Sequence, residues 1–385
     1  MDDKTRYSQA QNPTNFTVQI LTNLTCNLNC TYCYEVKTGK INTIENITPF
    51  IDYMFEENKD KDYCILDFIG GESFLVVDLL DEVVEYVRKK NKKFIISTCT
   101  NGTLFLQPKV QKFITKNKDI IAIGISIDGK KESHDKYRVY HDGTGTYDDI
   151  IKGLDFIFKA VPRFRLSVKS TYTKETFAAN YYENMIHIIN LGFTEIAGNI
   201  TFEEPISLEF GFIVAKQFMR LADYILENDL IERVKLVHFY HDADFIRNYN
   251  KRLFGNLEDH DEKRNYCGSC NPMRCIGFDN KIYGCNRFLT MDKPNMELGV
   301  FENGVFNLYN EKLKNEVIEQ YKIKPQECID CKLVKECSSC VAAPYETDDV
   351  KAYIDEKRSC GWTYGLSLAR FYLCSKLYMK EHKDK

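Results

Sequence analysis

The sequence predicts an α/β protein, a partial (β/α)6 TIM-like barrel followed by a loop-rich, cysteine-rich domain. Between Phe16 and Phe202, short apolar runs rich in β-branched residues alternate with longer helical patterns. Strands separated by helices of roughly 10–15 residues pair in parallel through right-handed crossovers, and six such units fall short of a closed eightfold barrel. Nine of the 15 cysteines fall between Asn265 and Cys360, where regular periodicity fades.

The six expected strands are Phe16 to Leu21, Tyr63 to Ile69, Phe94 to Thr98, Ile120 to Ile127, Phe164 to Thr171 and Glu195 to Phe202. After the first strand, Thr48-Pro49 reads as an N-cap followed by proline at the first helical position. Leu75 to Lys90 reads as a second helix, with acids early and Arg88-Lys89-Lys90 at the end, where cations suit the helix dipole. Ser207 to about Lys251 is mainly helical. The expected domains are therefore the barrel over 16–205, a helical bridge over 206–264, the cysteine-rich domain over 265–365 and a C-terminal helix and tail over 366–385. The charged run Leu257 to Arg264 marks the boundary before the cysteine-rich part.

Lys and Arg total 52 against 56 Asp and Glu, a formal charge of −4, which gives no electrostatic reason to expect a nucleic-acid backbone or an anionic membrane as partner. Met1 to Asn15 has no apolar signal core, and no later stretch approaches the roughly 18 apolar residues of a membrane span. A cytoplasmic, reducing location is expected. Clustered cysteines are there more often metal ligands or catalytic thiols than disulfides, and an odd total cannot pair completely within the chain.

Directly after the first strand comes Cys26-Asn-Leu-Asn-Cys30-Thr-Tyr-Cys33-Tyr34. Three thiolates within eight residues supply three corners of a cubane iron-sulfur cluster whose complete set is four, leaving one iron open to a substrate group. An incomplete zinc site or a redox-active Cys-x-x-Cys are the alternatives. The spacing, with the aromatics Tyr32 and Tyr34, resembles the signature of the radical S-adenosylmethionine (radical SAM) superfamily. The resemblance implies that Cys26, Cys30 and Cys33 hold a 4Fe-4S cluster, that SAM chelates the open iron through its amino and carboxylate groups, and that Tyr32 lies against the adenine.

Three further motifs end the next strands: Gly70-Gly71-Glu72, Thr100-Asn101-Gly102 and Ser126-Ile127-Asp128-Gly129. Each alone reads equally well as a turn. Together they occupy the C-terminal rim, where parallel barrels collect functional groups. The resemblance assigns the SAM amino group to Gly70, Gly71 and Glu72, polar contacts to Asn101 and Ser126, and the SAM carboxylate to Arg138. An arginine suits a carboxylate bidentately, and a solvated surface arginine is the alternative. Ser73 stands where the family usually has proline, a departure expected to change only the stiffness of the turn.

The second array reads Cys267-x2-Cys270-x4-Cys275-x9-Cys285, then Cys328-x2-Cys331-x5-Cys337-x2-Cys340, then Cys360. Nine thiols exceed one metal site, and the Cys-x2-Cys pairs alone would also permit one or two zinc ribbons. The array resembles the auxiliary-cluster domain called SPASM. The resemblance implies two more 4Fe-4S clusters, one on Cys267, Cys270, Cys285 and Cys340 and the other on Cys328, Cys331, Cys337 and Cys360. Cys275 is then extra, either displacing Cys267 or Cys270 or packing as a core thiol. Asn280 replaces a family glycine at the turn of an expected hairpin, Arg274 to Phe278 and Lys281 to Cys285, and asparagine tolerates that left-handed position. The gap before Cys340 is one residue short of the family pattern. Cys64, Cys99 and Cys374 read as small buried residues. His238 and His241 read as packing or, less simply, as metal ligands.

The resemblance implies reductive cleavage of SAM to methionine and a 5′-deoxyadenosyl radical, which abstracts a hydrogen from a substrate carbon. An external electron donor such as flavodoxin or ferredoxin and an oxygen-poor cell are implied with it. Auxiliary clusters would relay an electron away or bind a substrate thiolate. The expected substrate is a peptide or protein. Maturation of a ribosomal peptide through a thioether or carbon-carbon crosslink comes first, with leader recognition by a separate protein or the barrel surface. An anaerobic sulfatase-maturating enzyme, which makes formylglycine, is the alternative. Those enzymes typically carry an aspartate directly after the cysteine corresponding to Cys285, whereas this chain has Asn286, an amide that cannot take a proton. A non-catalytic zinc-binding interaction protein is the reading from another class. No residue is assigned here as proton donor or acceptor.

Overall fold

The computed structural model describes residues 14–201, 205–250, 267–291, 293–302, 305–337, 340–356 and 359–382. Its strands are β1 (Asn15–Asn23), β2 (Tyr63–Gly70), β3 (Lys93–Thr100), β4 (Ile121–Ser126), β5 (Leu166–Tyr172), β6 (Glu195–Ile200), β7 (Lys235–Leu236), β8 (Met273–Ile276), β9 (Lys281–Tyr283), β10 (Glu297–Glu302) and β11 (Val305–Leu308). Phe202 of the expected sixth strand and the charged run Leu257 to Arg264 lie outside the described residues. The chain forms two compact units, each gathered from separate segments. One comprises Met1–Ser126, His134–Leu166 and Asn265–Gln320, the other Ile127–Ser133, Ser167–Arg264 and Tyr321–Lys385.

In the first unit β1, β2, β3 and β4 lie side by side in parallel. On its other side β1 pairs in parallel with β8, from which β9, β10 and β11 continue antiparallel. Part of the cysteine-rich region thus extends the sheet that β1 begins. Side chains alternate between the faces of a strand. Phe16 stacks edge-on to Phe55 of the helix Ile44–Glu57 at 5.5 Å, so Gln19 and its register partners Asp67 and Ser97 face the opposite side.

The helix Ile44–Glu57 does not begin at Thr48-Pro49. Thr43 caps it, accepting the Asn46 N–H at 3.3 Å, and Pro49 lies inside. Proline near a helix start forfeits a single intrahelical bond, which burial of Ile47, Phe50, Ile51 and Met54, at about 1.5–3 kcal/mol for each large side chain, outweighs. Leu75 falls in a 3-10 turn, Ser73–Val76, before the helix Val77–Arg88, which buries Leu80, Val83, Val84 and Val87.

In the second unit β5, β6 and β7 are parallel, so a short strand interrupts the expected helical bridge. Helix Lys174–Asn190 starts at a Thr173/Thr176 capping box, and helix Leu208–Glu227 starts at Ser207, whose hydroxyl accepts the Phe210 N–H. The C-terminal helix Cys360–Glu381 runs unbroken through the boundary expected between 365 and 366. It approaches the helix Leu208–Glu227 at backbone distance: a Cβ on Gly211 would lie 2.6 Å from the Gly361 carbonyl, and one on Gly365 would lie 2.4 Å from the Gly211 carbonyl. Only glycine fits there. The architecture is the expected α/β class, with parallel barrel-type strands and a cysteine-rich C-terminal region. Among the described residues no helix is long and apolar enough to cross a membrane.

Candidate active site

At the C-terminal ends of β1, β2 and β3 three loops are tied into one structure. Gly70 has φ +145°, and a Cβ on Gly71 would lie 2.1 Å from the Thr25 carbonyl, so the paired glycines let the loop after β2 pass against the cysteine loop. There the Gly71 N–H donates to the Asn23 carbonyl at 3.1 Å and the Glu72 N–H to the Thr25 carbonyl at 2.8 Å.

Glu72, 1% exposed, connects the second and third loops. Its carboxylate accepts the Asn101 N–H at 2.7 Å, the Thr100 hydroxyl at 2.8 Å and the Phe74 N–H at 3.1 Å. Burial pushes its pKa up, and those three donors pull it back. Three of roughly four acceptor positions on the carboxylate are therefore filled from within. Asn101 carries the connection on: its Nδ2 donates to Asn27 Oδ1 at 2.8 Å and approaches Cys26 Sγ at 3.9 Å, while its Oδ1 accepts the N–H and hydroxyl of Thr103. A residue one loop away thus reaches the first cysteine.

Cys26 and Cys30 are half-buried and Cys33 is exposed. The Leu28 N–H points at Cys26 Sγ at 3.4 Å, and Lys37 lies within electrostatic reach. Burial pushes the Cys26 thiol up to about 11, so without a cation bound to it the sulfur stays protonated. The cysteine loop pairs with the segment that follows β4: Asn29 N–H donates to the Val139 carbonyl, Thr31 N–H to the Tyr137 carbonyl, and His141 meets the Cys26 carbonyl. This pairing brings Tyr32 beside Tyr137, with ring centroids 5.5 Å apart, and sets the Arg138 guanidinium 5.3 Å from the Tyr32 ring centroid. Arg138 is 8% exposed, so it is no solvated surface arginine. Ser126 ends β4, half-buried.

Elsewhere in this unit Cys267 and Cys285 each lie within electrostatic reach of Cys270, whose thiol burial pushes up to about 12. Gly284 leaves the space that the Cys270 sulfur uses, since a Cβ there would lie 2.3 Å from it. The hairpin turn sits at Asn280, φ +55°, as expected. Cys275 is fully buried with Leu21 and Leu24, packed by Ile69, Phe278, Tyr283 and Leu289. In the second unit Cys328, Cys331, Cys337, Cys340 and Cys360 are all half-buried. The Leu333 N–H points at Cys331 Sγ at 3.4 Å, and the Tyr364 hydroxyl interacts with Cys331 and Cys360. Arg370 braces this loop, pairing with Glu336 at 2.6 Å while donating to the Phe239 and His238 carbonyls.

Among the described residues no three His, Cys, Asp or Glu side chains converge on a single metal ion. A cubane spreads its thiolates over separate irons, so the donor set and the N–H groups aimed at sulfur fit a cluster better than a mononuclear site. His238 and His241 instead pack on Trp362 and Phe245. Cys99 departs from expectation: it is exposed, because it projects on the Ser97 side of β3 opposite Gly124, which has no side chain to cover it. Asn27, His141 and the buried Asp67 also escaped the sequence. Asp67 left one signal there, a charge inside the apolar run Tyr63 to Ile69.

A family model described as the Radical SAM superfamily matches residues 20–177. The cysteine-type anaerobic sulfatase-maturating enzyme of Clostridium novyi (strain NT) is 34% identical over 147 residues, which are 34% of this chain and 37% of that enzyme. The chain thus aligns with well under half of that relative's length. Native anSMEcpe with bound AdoMet and Cp18Cys peptide shares the fold with a TM-score of 0.69 at 20% identity, over 94% of this chain and 99% of that one. Streptococcus suis SuiB bound to precursor peptide SuiA does so with a TM-score of 0.61 at 15% identity, over 88% and 74%. Over residues 20–177 the chain thus carries the radical SAM similarity that its cysteine motif implied.

Proposed function

We propose that this chain cleaves SAM reductively and uses the resulting 5′-deoxyadenosyl radical to abstract a hydrogen from a peptide or protein substrate. The observation that carries the proposal is the continuous hydrogen-bonded path from Glu72 through Asn101 to Cys26, which joins three rim motifs at one place. The 4Fe-4S cluster held by Cys26, Cys30 and Cys33 supplies the electron when bound. Around it, Gly70, Gly71 and Glu72 receive the SAM amino group, Arg138 its carboxylate and Tyr32 the adenine, with Asn101 and Ser126 completing the polar contacts. Backbone approach permitted by the glycines and the bidentate fork of the arginine suit those two ends of the ligand. Holding the substrate C–H beside the adenosyl carbon and excluding water is then the task of the barrel.

Two auxiliary 4Fe-4S clusters complete the proposal, on Cys267, Cys270, Cys285 and Cys340 and on Cys328, Cys331, Cys337 and Cys360, giving about twelve iron per chain. Cys275, packed among apolar side chains, is left as a core thiol. The preferred reaction is a thioether or carbon-carbon crosslink in a ribosomal peptide, in the cytoplasm, with reduction by a flavodoxin or ferredoxin. A relative named as a sulfatase-maturating enzyme favours formylglycine formation as a second reading. Asn286 weighs against it, because its side-chain amide cannot accept the proton. Anaerobic reaction with cysteine-bearing precursor peptides and with a sulfatase-derived peptide separates them by mass. A crosslink removes two hydrogens and keeps the sulfur, whereas formylglycine formation removes two hydrogens and also exchanges the cysteine sulfur for oxygen. Turnover of the sulfatase peptide alone would displace the preferred reading.

A further inference from the structure

On the face of the first unit's sheet opposite the helix Ile44–Glu57 runs a polar line. Gln19 on β1, Asp67 on β2 and Ser97 on β3 are direct register partners, and Cys275 on β8 stands next to Gln19 in the same register. Asp67 is 2% exposed. Burying a carboxylate to that extent costs several kcal/mol unless hydrogen bonds satisfy it. Ser97 Oγ donates to Asp67 Oδ1 at 2.6 Å, and Gln19 Nε2 donates to Asp67 Oδ2 at 3.0 Å.

These contacts set a direction. A carboxylate only accepts, so the Gln19 amide must turn its NH2 to Asp67 and its oxygen away. That oxygen accepts the backbone N–H of Asn286 at 3.0 Å. Asn286 follows Cys285 and opens the short helix Asn286–Thr290, whose first N–H groups have no partner inside the helix. Gln19 supplies one from 267 residues away in sequence.

We propose that Gln19 and Asp67 are positioning residues that hold the Cys285 corner of the auxiliary cluster on the barrel strands. The inference rests on reading Cys285 as a cluster ligand. Asp67 acts through Gln19: with Asp67→Asn, the new side chain offers both a donor and an acceptor, and the Gln19 amide is no longer forced to present its oxygen to Asn286. Groups that orient a metal ligand from behind are worth roughly 10–100-fold in metal affinity.

The experiment uses the full chain in two forms. In cluster-free protein, hydrogen exchange across residues 285–290 should quicken by about tenfold in Gln19→Leu and by less in Asp67→Asn. In anaerobically reconstituted protein, a chelator should strip auxiliary iron from both variants about tenfold faster than from wild type. The paramagnetic signature of the reduced auxiliary cluster should change, while that of the cluster on Cys26, Cys30 and Cys33 stays as it was. Ser97→Ala disturbs the same buried acid yet leaves the Gln19 amide directed, so it should lower stability without moving either signature. Faster exchange with unchanged auxiliary spectra and iron retention would overturn the inference, as would unchanged exchange in Gln19→Leu. A wild-type protein whose spectra match those of Cys285→Ala would remove the ligand reading itself, and this inference with it.

Discussion

Replacing Glu72 by glutamine keeps its size and removes one acceptor. The carboxylate takes two bonds on Oε1, from Thr100 and Phe74, and one on Oε2, from the Asn101 N–H. If the glutamine oxygen keeps the first two, its NH2 faces the Asn101 N–H, donor against donor, and the other orientation sets the NH2 against the Phe74 N–H instead. At least one hydrogen bond to a charged acceptor disappears and a buried N–H goes unsatisfied, together about 2–3 kcal/mol. Because Asn101 also holds Asn27 and approaches Cys26, the loss should reach the cysteine loop. Urea unfolding of the cluster-free variant should show the destabilisation, and calorimetric titration of the anaerobically reconstituted enzyme should show SAM binding weakened by tenfold or more. A Glu72→Gln protein within about 0.5 kcal/mol of wild type, with unchanged SAM affinity, would refute the reasoning.

Arg370 and Glu336 form a nearly buried pair, so Arg370→Met should destabilise by about 3–5 kcal/mol, and adding Glu336→Gln should recover part of that loss in chemical unfolding. His238 is held down to about 4 from an ordinary 6.5 by burial, aided by the positive charges of Lys169, Arg370 and His241. The unfolded chain therefore takes up more protons between those values. The associated stability is complete above pH 6.5 and lost as pH falls toward 4, by at most about 3 kcal/mol. Unfolding curves of His238→Asn should lack that component, and identical pH profiles would contradict the assignment. Brief alkylation of native cluster-free protein should label Cys99 well before Cys64 and Cys374, which are buried, as peptide mapping can verify.

Much of the fold was legible because buried β-branched runs bounded by glycine and asparagine leave few alternatives. The five fully described strands among the six expected begin and end within about two residues of their positions. Thr48-Pro49 misled because it imitates a helix start, while Thr43 five residues earlier supplies the cap that the buried face requires. The cysteine and glycine motifs were readable because they are contiguous. Glu72 was readable as a rim acid, but two of its three partners lie 28 and 29 residues on, and nothing local announces them. The polar line from Ser97 to Asn286 was invisible for the same reason. It exists only once β1, β2 and β3 are in register.

The central claim is that Cys26, Cys30 and Cys33 support SAM cleavage. Its most direct test is the formation of 5′-deoxyadenosine from SAM by anaerobically reconstituted, reduced protein. Wild type should form it, and the triple variant Cys26→Ala, Cys30→Ala, Cys33→Ala should form none while keeping its secondary structure. Continued formation of 5′-deoxyadenosine by the folded triple variant would contradict the account.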